Sequence, residues 1–275
     1  MMAGGSAPIN LYPINEWLDI GGWPTFRDAT GRTVVETPIV AGEKTLVLLN
    51  VSQSNAANSL ETPYTVLNPT KVLCLNPFDG VVTQCADPIL GATDDGPGAS
   101  MIGKLGDLCV GDGSFDKFIC CNIPVGGSSV NDWKSSGRLH HRLITGIRRK
   151  RDLINAAPDG AIICPAVFSL LGETDGVNNL PQSAWEAGFR EMAAALPGQN
   201  VNWPWFVGKC TFANDTIDAT VQAAQAAVVN GTTIFAGADT DDITGAGRKD
   251  SAHFSNIGRD IAAAKWKVVF ASFYA

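Results

Sequence analysis

The sequence predicts an α/β protein whose parallel sheet is covered by helices on both faces. Two observations carry that prediction. Five short, nearly continuous apolar runs recur along the chain, and an apolar run without alternation marks a strand buried on both faces. Segments with helical periodicity separate them, and strand–helix–strand succession calls for right-handed crossovers between parallel strands. The composition agrees: of 275 residues, 45% are hydrophobic and 17% charged, as in a folded globular chain and unlike a disordered one.

The five runs are residues 45–51 (TLVLLNV), 118–125 (FICCNIPV), a stretch within 161–171, 205–212 (WFVGKCTF) and 232–236 (TTIFA). Helical patterns lie between them. Residues 139–153 carry Leu139, Leu143, Ile144 and Ile147 at helical spacing. The basic run Arg148-Arg149-Lys150-Arg151 falls near the end of that pattern, where cations suit the helix dipole. Residues 182–196 open behind Pro181 and stop at Pro197-Gly198, and residues 215–229 start from an Asn214-Asp215 cap and stop at Asn230-Gly231. A last helix covers about 256–270. Residues 1–44 are irregular, punctuated by Gly21-Gly22-Trp23-Pro24. They form an N-terminal extension to a domain spanning 45–275, packed on that domain or on a second copy in a homo-oligomer. Residues 59–117 make a long, Gly-rich connection of the kind that is functional or carries small elements of its own.

Several function classes are disfavoured. Lys+Arg 20 against Asp+Glu 27 gives a net charge of −7, a poor match for the phosphate backbone of nucleic acid. The longest apolar stretch, 161–171, is too short for a bilayer span and contains Pro165. The start, Met-Met-Ala-Gly-Gly-Ser, has neither a basic nor an apolar signal region, so a chain without a secretory signal is expected, soluble wherever it acts. Seven cysteines include no Cys-x-x-Cys pair, which argues against zinc. Cys74 and Cys85 flank a turn-rich segment and are either a hairpin disulfide or two buried thiols. Asp239-Thr-Asp-Asp242 is not an EF-hand, because Ile243 and Thr244 occupy the positions of a ligand and of the turn glycine. No metal and no cofactor are expected.

Ligands of open parallel sheets bind beyond the carboxyl ends of the strands. Those ends lead here into Ser52-Gln53-Ser54-Asn55, Gly126-Gly127-Ser128, Gly172-Glu173-Thr174-Asp175 and Asp250-Ser-Ala-His253. His253 is the one histidine among them, and Asp250, three residues earlier, can orient its ring. Ser54 suits a nucleophile. Its own N–H and that of Gly127 suit an oxyanion hole. The Gly-x-Ser-x-Gly elbow of α/β-hydrolases is absent.

These four segments, in this order, resemble the SGNH/GDSL hydrolase superfamily. The resemblance is closest to its sialate O-acetylesterase-like carbohydrate esterases and covers about residues 45–275. It implies a three-layer α/β/α fold with a flavodoxin-like, five-stranded parallel sheet, and hydrolysis of acetyl esters on a carbohydrate. By resemblance Ser54 is the nucleophile, His253 the base and Asp250 its orienter. Glu173 shapes the third-strand loop. Ser52 departs from the family's usual glycine. Leu171 replaces a side-chain oxyanion donor, a loss worth about 3 to 4 kcal/mol. Asn55, Asn122 and Asn131 are candidate substitutes, and Asn55 and Trp133 are candidate substrate contacts, Trp133 by stacking on a sugar ring. The alternatives are an esterase for another small acyl ester, and a carbohydrate-binding protein on a degenerate hydrolase fold in a cell-surface or phage adhesion assembly.

Overall fold

The computed structural model describes residues 24–93 and 98–275. Expectations for residues 1–23, and for 94–97 within the long connection, lie outside the described residues. Seven strands form one sheet: β1 (Lys44–Asn50), β2 (Val72–Leu75), β3 (Val82–Gln84), β4 (Lys117–Asn122), β5 (Ile162–Ser169), β6 (Trp205–Lys209) and β7 (Ile234–Asp239). Their order is β3-β2-β4-β1-β5-β6-β7, and every pairing is parallel except β2 with β3.

The five expected strands occupy the middle and one side in the order β4-β1-β5-β6-β7. The expected strand count is corrected to seven. The long connection supplies β2, β3 and the helix α1 (Ile102–Gly111). β2 has four residues and β3 three, too short for either to stand out from its Gly- and Pro-rich surroundings.

The continuous apolar runs are explained by burial on two faces. Along β1, Val47 and Leu49, with Val51 just past its end, join one core while Leu46 and Leu48 join the other. The first core takes Leu143 and Ile147 from α3 (His140–Asn155), Trp185 and Phe189 from α5 (Gln182–Ala193), and Val221 and Ala224 from α7 (Ala219–Ala227). The second takes Ile102 and Leu105 from α1, and Trp266 and Phe270 from α8 (Asn256–Phe273). The remaining helices are short: α2 (Val130–Trp133), α4 (Glu173–Val177) and α6 (Ala195–Gly198). No helix among the described residues is long and apolar enough to cross a membrane.

Two local readings change. α7 starts later than expected, because Asp218, not Asn214-Asp215, accepts the Val221 N–H as its N-cap. Asn214 and Asp215 instead hold positive φ in the preceding turn. Within the basic run, Lys150 is fully buried and donates to the Ala166 carbonyl (2.6 Å) beneath the Trp203 ring. Residues 24–43 lie along the domain. Val35 N–H donates to Val82, Phe26 N–H to Ala92, and Ile39 enters the first core. Cys74 and Cys85 are buried thiols that meet across the β2–β3 hairpin.

Candidate active site

The site forms where β1 passes the end of its ladder. Beyond Asn50 the chain keeps contact with both neighbours. Val51 and Gln53 donate to Phe168 and Leu170 on the β5 side, and Val125 donates to Ser52 on the β4 side. Ser52 Oγ accepts the Leu170 N–H at 3.0 Å, a role the usual glycine cannot fill. The chain then turns through a short 3-10 turn, residues 54–56, stapled by the Asn50 side chain donating to the Ala56 carbonyl (2.8 Å). Ser54 heads this turn, between the ends of β4 and β5.

On the β4 side, the Gly126 N–H donates to Thr93 Oγ1 at 2.8 Å. Gly127 follows at φ +65°, a left-handed conformation that favours glycine. It is exposed, and its N–H and that of Ser54 have no partner among the described residues. On the β5 side, Glu173 is buried and Asn55 Nδ2 donates to its Oε1 at 2.8 Å. Burial pushes the Glu173 carboxyl up to about 8 despite that hydrogen bond.

Beyond β7, residues 248–254 form a turn that carries Asp250 and His253. Asp250 Oδ2 meets His253 Nδ1 at 3.0 Å, and Oδ1 accepts the N–H groups of Ala252 (2.8 Å) and His253 (2.7 Å). Partial burial works against the Asp250 carboxylate, but the His253 and Ala252 amides and the imidazole outweigh it and hold its pKa below the ordinary value. A carboxylate on Nδ1 keeps the proton there and leaves Nε2 to act as a base. Asn55 ties this turn to Ser54: Nδ2 donates to the Ala252 carbonyl (3.0 Å), and Oδ1 accepts the Phe254 N–H (2.9 Å). The first turn of α8 packs onto residues 245–247 so closely that a Cβ on Gly258 would lie 1.9 Å from the Gly247 oxygen.

The structure thus gathers Ser54, Gly127, Glu173, Asp250 and His253 at one end of the sheet. No direct hydrogen bond joins Ser54 to His253 among the described residues; Asn55 makes the link.

Two expected substrate contacts are corrected. Trp133 is fully buried in the first core and its indole N–H donates to Ser128 Oγ (3.0 Å), so no ring face is open to a sugar. Asn55 is buried, with its amide and carbonyl both engaged within the protein.

Of the candidate oxyanion donors, Asn55 is engaged as described and Asn122 is reassigned. Asn122 is buried against Asn50, Cys74 and Cys120. Asn131 is half-buried in α2. Leu171 is part of the first core.

Sequence reasoning gave no role to Asp175, which accepts from Val130 N–H (3.2 Å) and Trp185 Nε1 (3.0 Å). It thereby joins the β5 loop to the helix after Gly127. Its position in Gly-Glu-Thr-Asp was the available signal. Asp241 accepts from the Thr211 and Phe212 amides and from the side chains of Thr211 and Gln222. No cluster of three or more metal-ligating side chains occurs among the described residues.

No family model matches the sequence, and no curated protein sequence matches it. Solved structures do. A protein from Arabidopsis thaliana is 12% identical, with a TM-score of 0.58, over 85% of this chain and 100% of that one. A carbohydrate esterase family 3 structure from Talaromyces cellulolyticus is 10% identical, with a TM-score of 0.50, over 83% and 98%. At these identities the likeness is one of fold. The shared architecture is the three-layer α/β fold implied by the motif resemblance to SGNH hydrolases.

Proposed function

We propose that the chain is a serine-dependent esterase that removes O-acetyl groups from a carbohydrate. One observation carries the reading: an Asp250–His253 pair stands beyond the sheet's carboxyl end and is bound through Asn55 to the turn that starts at Ser54. The fold shared with a carbohydrate esterase supports it.

In the first step Ser54 Oγ bonds to the acetyl carbonyl carbon while its proton passes to His253 Nε2. Asp250 stabilises the imidazolium. The Ser54 and Gly127 N–H groups receive the oxyanion. The imidazolium then protonates the leaving sugar oxygen as its bond to the acyl carbon breaks. Water, deprotonated by His253, attacks the acetyl-enzyme, and acetate leaves with Ser54 restored.

A panel of acetylated glycans tests the substrate, with acetate release followed for the wild type and for Ser54→Ala. Release by the wild type and its loss in the variant are expected. The burial of Leu171 favours a second reading, a glycan-binding protein on a degenerate site. Its signature is glycan binding without turnover that Ser54→Ala leaves unchanged.

A further inference from the structure

The peptide plane that enters His253 is held on both edges. On one edge the His253 N–H donates to Asp250 Oδ1 at 2.7 Å. On the other, the Ala252 carbonyl accepts two donors: Asn55 Nδ2 at 3.0 Å and the Arg248 guanidinium at 2.5 Å. Fixing that plane fixes the bond about which the His253 Cα and its side chain would swing. The turn needs such ties, since Lys249, Asp250 and Ser251 are exposed and pack little.

Arg248 is built for this task. Its Nε donates to the Ile243 carbonyl (2.7 Å), and its other terminal nitrogen donates to the Thr240 carbonyl (3.0 Å). The guanidinium lies between two aromatic rings, 4.5 Å from the Phe212 centroid and 4.4 Å from that of Phe254. It forms no ion pair among the described residues, and three of its five N–H groups donate to backbone carbonyls. Two belong to the segment leaving β7 and one to the histidine turn. A lysine ammonium keeps the charge but lacks the planar fork that reaches three carbonyls between two ring faces.

The geometry points to Arg248 as a positioning residue that sets the approach of the His253 imidazole to Ser54. The inference rests on the esterase reading for its kinetic consequence, and on the structure alone for its effect on His253.

The test compares wild type, Arg248→Ala and Arg248→Lys. Turnover of 4-nitrophenyl acetate is measured, with the His253 Cε1–H resonance followed by NMR and folding checked by near-UV circular dichroism. Arg248→Lys keeps the charge and guards against loss of folding in Arg248→Ala. In a folded variant kcat falls by about 100-fold, the cost of a misplaced catalytic group, while KM stays put. The His253 resonance shifts or broadens, and guanidinium ion added to Arg248→Ala restores part of kcat. A folded variant with wild-type kcat and an unmoved His253 resonance overturns the inference. A wild type without turnover sinks the esterase reading instead, and the NMR comparison still decides whether Arg248 holds His253.

Discussion

Asn55 grips the backbone on both sides of His253, donating to the carbonyl of Ala252 and accepting the N–H of Phe254. It is the residue after Ser54, so the nucleophile and base candidates are held together by a buried side chain. Asn55→Ala leaves the Phe254 N–H without its acceptor and Glu173 without its donor. A stability loss of about 1 to 3 kcal/mol is expected for such buried groups, measured by urea unfolding. Turnover falls by about 100-fold, because His253 is no longer fixed relative to Ser54.

Glu173 ties stability to pH. Folded, its carboxyl keeps its proton up to about pH 8; unfolded, it releases it near 4.5. Between those values the native state binds the proton that the unfolded chain has lost. Its contribution is therefore complete below the lower value, declines as pH rises and levels off above the upper one. Glu173→Gln keeps an acceptor for Asn55 and removes the titration. Unfolding midpoints across this range should decline less steeply in the variant, and parallel declines would count against a protonated Glu173.

Trp133 is a structural residue. Trp133→Phe removes the bond to Ser128 Oγ and part of a buried ring. A stability loss of about 1 to 3 kcal/mol follows, with KM for acetylated glycans unchanged. A raised KM at unchanged stability would restore Trp133 as a substrate contact.

The candidate site was legible where its residues are local in the chain. Ser54, Gly127 and Glu173 each follow a strand whose apolar run is unmistakable, and Asp250 reaches His253 across a single turn. What escaped depends on contacts between distant segments. Trp133 carries the same indole whether it faces a sugar or the core, and only its packing beside Val130 and Trp185 decides. Asn55 was recognisable as part of Ser-Gln-Ser-Asn, but its partners lie 118 to 199 residues away. β2 and β3 leave no pattern because strands of four and three residues are too short to show a period against their Gly- and Pro-rich surroundings. Lys150, inside a basic run, gave no sign that one cation would turn inward.

In the proposed mechanism Ser54 carries the acyl group, and rapid-quench mass spectrometry can catch that intermediate. Wild-type protein mixed with 4-nitrophenyl acetate should gain one acetyl group, located on Ser54 by peptide mapping, and release it as acetate. Ser54→Ala should gain none and lose turnover by about a thousand-fold or more. Acetylation at another residue, or turnover retained in Ser54→Ala, would rule out Ser54 as the nucleophile.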